Sequence, residues 1–331
     1  MRLFLKDILA GLVMGLVVPG MLLNLAAAFF RQSGHEESAP IRETETQEKR
    51  EEHAQERIAI DMRMRNPDGT VEDRDMDEYL VGVVLAEMPA WFEPEALRAQ
   101  AVVARTYTLK ACVTGGKHGD GSVCTDPGCC QAYIQESSYL QEGGTRESVE
   151  KVRSAVVDTS GLVLTYEGDL IEATYFSCSG GSTEDAAAVW GTDFPYLRAV
   201  DSPGEEEAAH YVDSKQFTKG EFCEALGIAD AVSDGELLGI ATYTSGGGIA
   251  TMFIGGKSFT GVQLRQLLGL RSTSMEISVA NGIVTVVTRG FGHRVGMSQY
   301  GADAMAASGC TYPQILNHYY FGTTLTVWQN T

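Results

Sequence analysis

Positive charge is what this chain has least of. Lys and Arg number 25 against 44 Asp and Glu, for a formal net charge of −19. Phosphate binding needs clustered Lys and Arg, so this balance argues against nucleic acid as a partner. It disfavours an anionic membrane surface for the same reason, while a neutral or weakly charged polymer is tolerated. Charge of either sign is missing from Ile8 to Phe30. At ~1.5 Å per residue that run reaches about 35 Å as a helix, enough for a hydrocarbon core of about 30 Å. Arg2 and Lys6 precede it, and the positive-inside rule leaves them in the cytoplasm and the rest of the chain outside. Ala26-Ala27-Ala28 offers the competing reading, a cleaved signal peptide, but the apolar run is long for one. Both readings export the remainder of the chain. Apolar residues in turn are nearly absent from 31–57, which reads as a solvated, charged stalk. No internal repeat is present, and no Gly-Lys-Ser/Thr phosphate loop.

What remains has ordinary globular composition, with 44% hydrophobic and 21% charged residues. The expected layout is an anchor over 1–30, a stalk over 31–57 and one extracytoplasmic domain over 58–331, with 210–290 as a smaller mixed lobe. Alternation of Ile58, Ile60, Met62 and Met64 with polar neighbours predicts a half-buried strand. Asp75, with Glu78 three residues on, predicts a capped helix from Met76 to Met88, stopped by Pro89. Pro94 opens a second helix running to about Val113. A third spans Arg146 to Asp158, followed by strands over Leu162–Tyr166 and Leu170–Phe176. Further helices are expected over Phe217–Leu226, Phe259–Leu268, Gly296–Ser308 and Tyr312–Tyr320, with a hairpin at Ala280-Asn281-Gly282. This mixture is α+β, without the strand–helix alternation of a doubly wound sheet.

Four groups of residues carry possible chemistry. Glu87 lies among apolar neighbours at a helix end, where burial raises a carboxyl pKa toward the range of a general acid. A surface Glu on a last turn has the same local pattern. His118, Cys124, Cys129 and Cys130 follow H-x5-C-x4-C-C on a Gly/Asp/Pro loop. Thiolates and an imidazole on one flexible segment can wrap a tetrahedral Zn²⁺, and four protein ligands would make it structural. Seven cysteines cannot all pair as intramolecular disulfides, although export permits some to. Tyr175 to Ser182 ends a strand in hydroxyl residues and paired glycines, a loop suited to sugar contacts or simply polar. Cys178 within it has no evident base partner as a nucleophile. Arg289 to Gly301 separates His293, Ser298, Gln299 and Tyr300 with glycines between a strand and a helix.

Together these segments resemble the stage II sporulation protein D family of peptidoglycan lytic transglycosylases. The carrying pieces are Asp77 to Pro89, Glu95 to Tyr107, Tyr175 to Gly181, Val189-Trp190-Gly191 with Pro195-Tyr196-Leu197, and Gly290 to Tyr300, in the family's order. The resemblance implies that Glu87 is the catalytic acid/base. It implies as substrate peptidoglycan glycan already stripped of stem peptides, and as product a 1,6-anhydro-muramyl end. It implies zinc on His118, Cys124, Cys129 and Cys130, as in clostridial members, with Cys129 standing where that pattern has a second His. Arg105, Tyr107, Ser177, Ser179, His293 and Gln299 are the expected lining of the glycan groove. The implied setting is engulfment during sporulation, on the mother-cell membrane facing the forespore. The implied partners are a stage II amidase and a polytopic membrane protein. Two other readings stand beside it: a glycan-binding enhancer of a wall amidase, and a zinc amidase using the His/Cys cluster. A catalytic zinc needs an open coordination position, which argues against the second.

Overall fold

The computed structural model describes residues 59–230 and 233–329. The expected anchor and stalk lie outside them. No helix among the described residues is long and apolar enough to cross a membrane.

The opening strand, β1 (Asp61–Arg65), buries Met62 and Met64 on one face, as its alternation requires. It pairs antiparallel with β2 (Val71–Asp75) through the Asn66–Gly69 turn. Asp75 then caps α1 (Met76–Glu87), its carboxylate accepting the Glu78 N–H at 3.0 Å. The Glu78 carboxylate itself goes to Arg153 at 2.9 Å. A second helix, α2 (Pro94–Thr114), starts on its proline and ends at Gly115, which takes the left-handed conformation (φ 84°) of a helix C-cap. Buried residues cover most of its circumference, from Ala96 to Leu109, because it runs through the centre of the main core. Then come β3 (Ser122–Cys124), parallel to β1, and two helices, α3 (Glu136–Gln141) and α4 (Arg146–Val157).

β4 (Leu162–Tyr166) pairs with the short β5 (Asp169–Leu170). The strand expected to continue to Phe176 breaks off after Leu170. The chain instead passes Tyr175–Phe176 (β6) to another partner far along the sequence. α5 (Ala186–Trp190) follows.

Residues 212–289 contribute a second hydrophobic core around Phe222, Leu237, Ile254, Leu264, Val284 and Val286. It is built from β7 (Val212–Thr218), α6 (Lys219–Leu226), α7 (Asp234–Leu237), β8 (Leu238–Tyr243), β9 (Ile249–Ile254), β10 (Lys257–Thr260), α8 (Gly261–Leu267), β11 (Ser274–Ala280) and β12 (Ile283–Arg289). Two three-stranded sheets result, in the orders β10-β9-β8 and β11-β12-β7. Asn281 and Gly282 both take positive φ (54° and 74°) between β11 and β12, the backbone a tight two-residue hairpin turn demands. Two helices begin later than their apolar spacing predicts. Phe217 and Phe259 belong to strands, and the helices start only after Thr218 and Thr260, each closing a capping box with Glu221 or Gln263. β13 (Met297–Ser298) then pairs parallel with β6, and α9 (Gln299–Ala307) starts at the Ser298 cap rather than at Gly296. α10 (Tyr312–Tyr319) and β14 (Thr324–Val327), paired with β4, return the chain to the main core. The whole is α+β.

Candidate active site

Glu87 ends α1, half-buried, on a groove of about 930 Å³. Its Oε1 accepts the Ala132 backbone N–H at 2.8 Å and the Tyr175 hydroxyl at 3.2 Å. Tyr175 receives a bond from Gln131 Nε2 at 3.1 Å, and Thr108 donates to Gln131 Oε1 at 2.7 Å. Gly82 is what lets the 131–134 strap lie so close to α1. A Cβ there would stand 2.3 Å from the Tyr133 ring and 2.6 Å from the Ile134 carbonyl. Burial pushes the Glu87 carboxyl above its ordinary range, against the pull of its donors Ala132, Tyr175 and Gln299. Gln299 is the loosest of the three. Its buried Nε2 lacks a full hydrogen bond within the protein and remains available to a ligand.

His118, Cys124, Cys129 and Cys130 come together just upstream of that strap, their ligand atoms all within 4.8 Å of one another. His118 Nε2 is 3.8 Å from Cys129 Sγ and 3.6 Å from Cys130 Sγ, and the two sulfurs are 3.9 Å apart. A tetrahedron with metal–sulfur bonds of about 2.3 Å has edges of about 3.7 Å, so the spacing fits a four-coordinate metal ion. No disulfide competes, because all seven cysteines are free thiols. These residues can therefore hold a metal, and their loop passes directly into Gln131 and Ala132.

Tyr107, Ser177, His293 and Gln299 join Glu87 on the groove. Arg105 does not. It is 0% exposed and donates to the carbonyls of Val156, Thr159 and Leu162 and to Asp77 at 3.0 Å. Its fork satisfies the carbonyls at the end of α4, which is why it turns inward. Ser179 is also withdrawn. Its N–H and hydroxyl both bind the buried Glu205 carboxylate, at 2.6 and 2.9 Å. His293 accepts the Val295 N–H on Nδ1 at 3.1 Å. Burial, with Arg265 nearby, lowers its pKa to about 4, so at neutral pH it is an uncharged imidazole and not a second acid. Sequence reasoning passed over Gln131, and it placed Tyr175, Trp190 (40% exposed) and Phe291 in segments of interest without giving them a role. Adjacency of Gln131 to the Cys129-Cys130 pair was the available signal.

The family model described as SpoIID, Stage II sporulation protein, matches residues 66–166. The chain is 38% identical over 328 residues to Stage II sporulation protein D of Bacillus amyloliquefaciens, covering 96% of this chain and 94% of that one. It belongs to the stage II sporulation protein D family. Stage II sporulation protein D of Bacillus subtilis (strain 168) is 40% identical over 267 residues, 79% of this chain and 77% of that protein. The Amidase enhancer of the same strain is 29% identical over 300 residues, 75% of this chain and 40% of its own length. The family is thus one of sporulation proteins, and the 66–166 match contains Glu87, the metal-ligand cluster and the strap between them.

Proposed function

We propose that the chain is a lytic transglycosylase that cuts the β-1,4 bond between N-acetylmuramic acid and N-acetylglucosamine in peptide-stripped peptidoglycan during engulfment. The supporting observation is a raised-pKa carboxyl in an open groove, with no unpaired carboxylate beside it among the described residues. Glu172, the other acidic residue on the groove, is paired with Lys110 at 2.7 Å. Among the described residues on the groove, hydrolysis by the usual two-carboxylate route has no unpaired second carboxylate. In the proposed reaction protonated Glu87 donates to the glycosidic oxygen, and the bond from that oxygen to the muramyl C1 breaks. The sugar's own C6 hydroxyl attacks C1 and gives its proton back to Glu87. One strand ends in the 1,6-anhydro sugar and the other in a free GlcNAc hydroxyl, and the carboxyl is restored. One residue acting first as acid and then as base needs a pKa near the working pH, the direction in which burial moves Glu87. Tyr175 and Ala132 hold the carboxylate stage of the cycle through their bonds to Oε1. Zinc on His118, Cys124, Cys129 and Cys130 would brace the loop that carries Ala132. The proposed location is the mother-cell membrane, through the apolar run at 8–30, with a wall amidase and a polytopic membrane protein as partners.

The test is incubation of the full-length protein in detergent with purified peptide-free strands, beside Glu87→Gln, with products read by mass spectrometry. Anhydro-muramyl ends are expected from the wild type and lost by at least about 100-fold in the variant. Retention of glycan by both proteins without cleavage would favour the second reading, a glycan-binding enhancer of an amidase, to which the likeness to the Bacillus subtilis Amidase enhancer points.

A further inference from the structure

Two hydrogen bonds to Glu87 Oε1 depend on the strap that leaves the His/Cys cluster. Ala132 gives one directly, at 2.8 Å. Tyr175 gives the other, and its hydroxyl is held by Gln131 Nε2 at 3.1 Å. Gln131 and Ala132 are the two residues after Cys130, so a displacement of Cys130 is carried straight to the acid. The three thiols of the cluster stand on unequal supports. Cys124 ends β3, where it is paired with Arg65 of β1. Cys129 and Cys130 lie on a turn, their N–H groups both donating to the Asp126 carbonyl, at 3.0 and 2.8 Å. All three thiols are only partly buried, and Cys129 and Cys130 line the groove, within reach of a small solute. The structure holds the reduced form, with all seven cysteines free. A metal ion would engage all four groups of the cluster, whereas a disulfide consumes two of them, so the two states exclude each other. Cys129 and Cys130 have sulfurs 3.9 Å apart, but a bridge between sequence neighbours closes a strained ring. Cys124 is the better placed partner, since the ligand atoms of the cluster all lie within 4.8 Å of one another. Both the backbone N–H and the thiol of Cys124 act on the Cys130 thiol, which sets Cys130 against the end of β3.

We propose that the cluster is also an oxidation site, at which Cys124 and Cys130 form a disulfide that draws the strap off Glu87 and switches the acid off. The disulfide and the strap movement rest on the cluster alone; the loss of cleavage rests on the glycan-cleaving reading above. The oxidant is a peroxide. One thiol attacks its O–O bond, becomes a sulfenic acid and releases water. The second thiol displaces the sulfenic oxygen as another water, and the S–S bond forms. Two sulfurs are oxidised and the two peroxide oxygens are reduced. A disulfide holds its sulfurs about 2 Å apart, closer than free thiols approach. Pairing with β1 fixes Cys124, so the turn that carries Cys130 must move. An N–H to O bond is lost beyond about 3.2 Å, so a shift of that size releases Ala132 from the carboxyl. Metal held by the four groups would occupy the sulfur lone pairs and withhold them from the peroxide.

The experiment uses the full-length protein, freed of metal with a chelator, treated with hydrogen peroxide, alkylated and mapped by mass spectrometry. A zinc-loaded sample is carried beside it. The chelated protein is expected to lose two hydrogens in a peptide pair linking Cys124 to Cys130, and dithiothreitol should restore them. Zinc-loaded protein should keep both thiols. Hydrogen exchange over 131–134 should rise by about tenfold over the reduced, metal-free protein, the worth of one lost hydrogen bond. Cleavage of peptide-free strands should fall with the bridge and return with dithiothreitol. Cys129→Ser keeps the proposed pair and should still switch, while Cys124→Ser and Cys130→Ser should show no change in the strap after peroxide. A bridge between Cys129 and Cys130, no bridge at all, or a bridge that leaves exchange over 131–134 unchanged overturns the inference. Inability of the reduced protein to cut glycan would remove the cleavage reading alone, because the bridge and the exchange are read without substrate.

Discussion

Glu87 stands on the last turn of a helix that is buried along most of its length, whereas His293 stands on a connection whose path is set by backbone contact. The first wall of the groove is local. α1, the metal-ligand loop and the 131–134 strap all lie inside the 66–166 stretch that matches the family model. The second wall joins segments more than a hundred residues apart, with Tyr175 beside Met297 and Phe176 beside Ser298 in a parallel pair. Gly296 makes that pairing possible. It has φ 82°, and a Cβ would stand 2.1 Å from the Thr174 carbonyl. Each wall also has its own buried arginine. Arg105 ties α1 to α4 through Asp77, and Arg294 ties the main body to the 244–248 turn through Glu184 at 3.0 Å and the Gly246 carbonyl at 2.7 Å. The walls thus differ in what holds them. One is held by helix packing and a metal-ligand cluster, the other by a polar latch between the two cores.

That division can be broken most directly at the arginines. Arg105→Met leaves Asp77 buried without its cation and should cost about 3–5 kcal/mol, seen as a large fall in denaturation midpoint. Arg294→Met should cost a similar amount, but hydrogen exchange should rise over 212–289 while 76–114 stays protected. Equal loss of protection in both regions would mean that the walls do not stand independently. Chelation comes next in size. Removing metal should lower the melting temperature by several degrees, roughly 1–2 kcal/mol of lost stability. It should also loosen 115–134 with little effect on 290–300. Tyr175→Phe probes a bond that crosses from the second wall to the acid. It should reduce kcat by about tenfold. Loss of a donor to the carboxylate should also move the alkaline limb of the pH profile upward, since that bond opposes the rise caused by burial. The smallest effect is on stability at Glu87 itself. Its folded pKa lies above the ordinary 4.5, so the favourable contribution of its neutral form is complete below pH 4.5 and lost as pH climbs through the folded value. Glu87→Gln should therefore melt higher than the wild type at pH 7 and no higher below pH 4.5.

Much of the first wall was legible in advance, because its signals are local. The Asp75 cap, Pro94 at a helix start and the closely spaced His and Cys residues each act over a few residues. The errors in where helices start share one cause. Thr218, Thr260 and Ser298 start helices two or three residues later than apolar spacing implies, because a side-chain oxygen accepting a backbone N–H sets the boundary more sharply than hydrophobic period does. Arg105 and Ser179 failed as groove residues for another reason. Neither a helical face nor a loop carries a mark of which neighbour will cover it, and both side chains found buried acceptors, the α4 carbonyls and Glu205.

The amino-acid sequence by itself determined the seven longer helices, the α+β class, the His/Cys set able to hold a metal and the carboxyl at the end of α1, since these depend on period, caps and spacing within a few turns. Only the tertiary structure decided which groups meet that carboxyl. Ala132, Tyr175 and Gln299 reach Glu87 from separate elements. Such meetings depend on how close two backbones can come, which Gly82 and Gly296 permit, and on which buried polar groups are left to satisfy one another once the cores have formed.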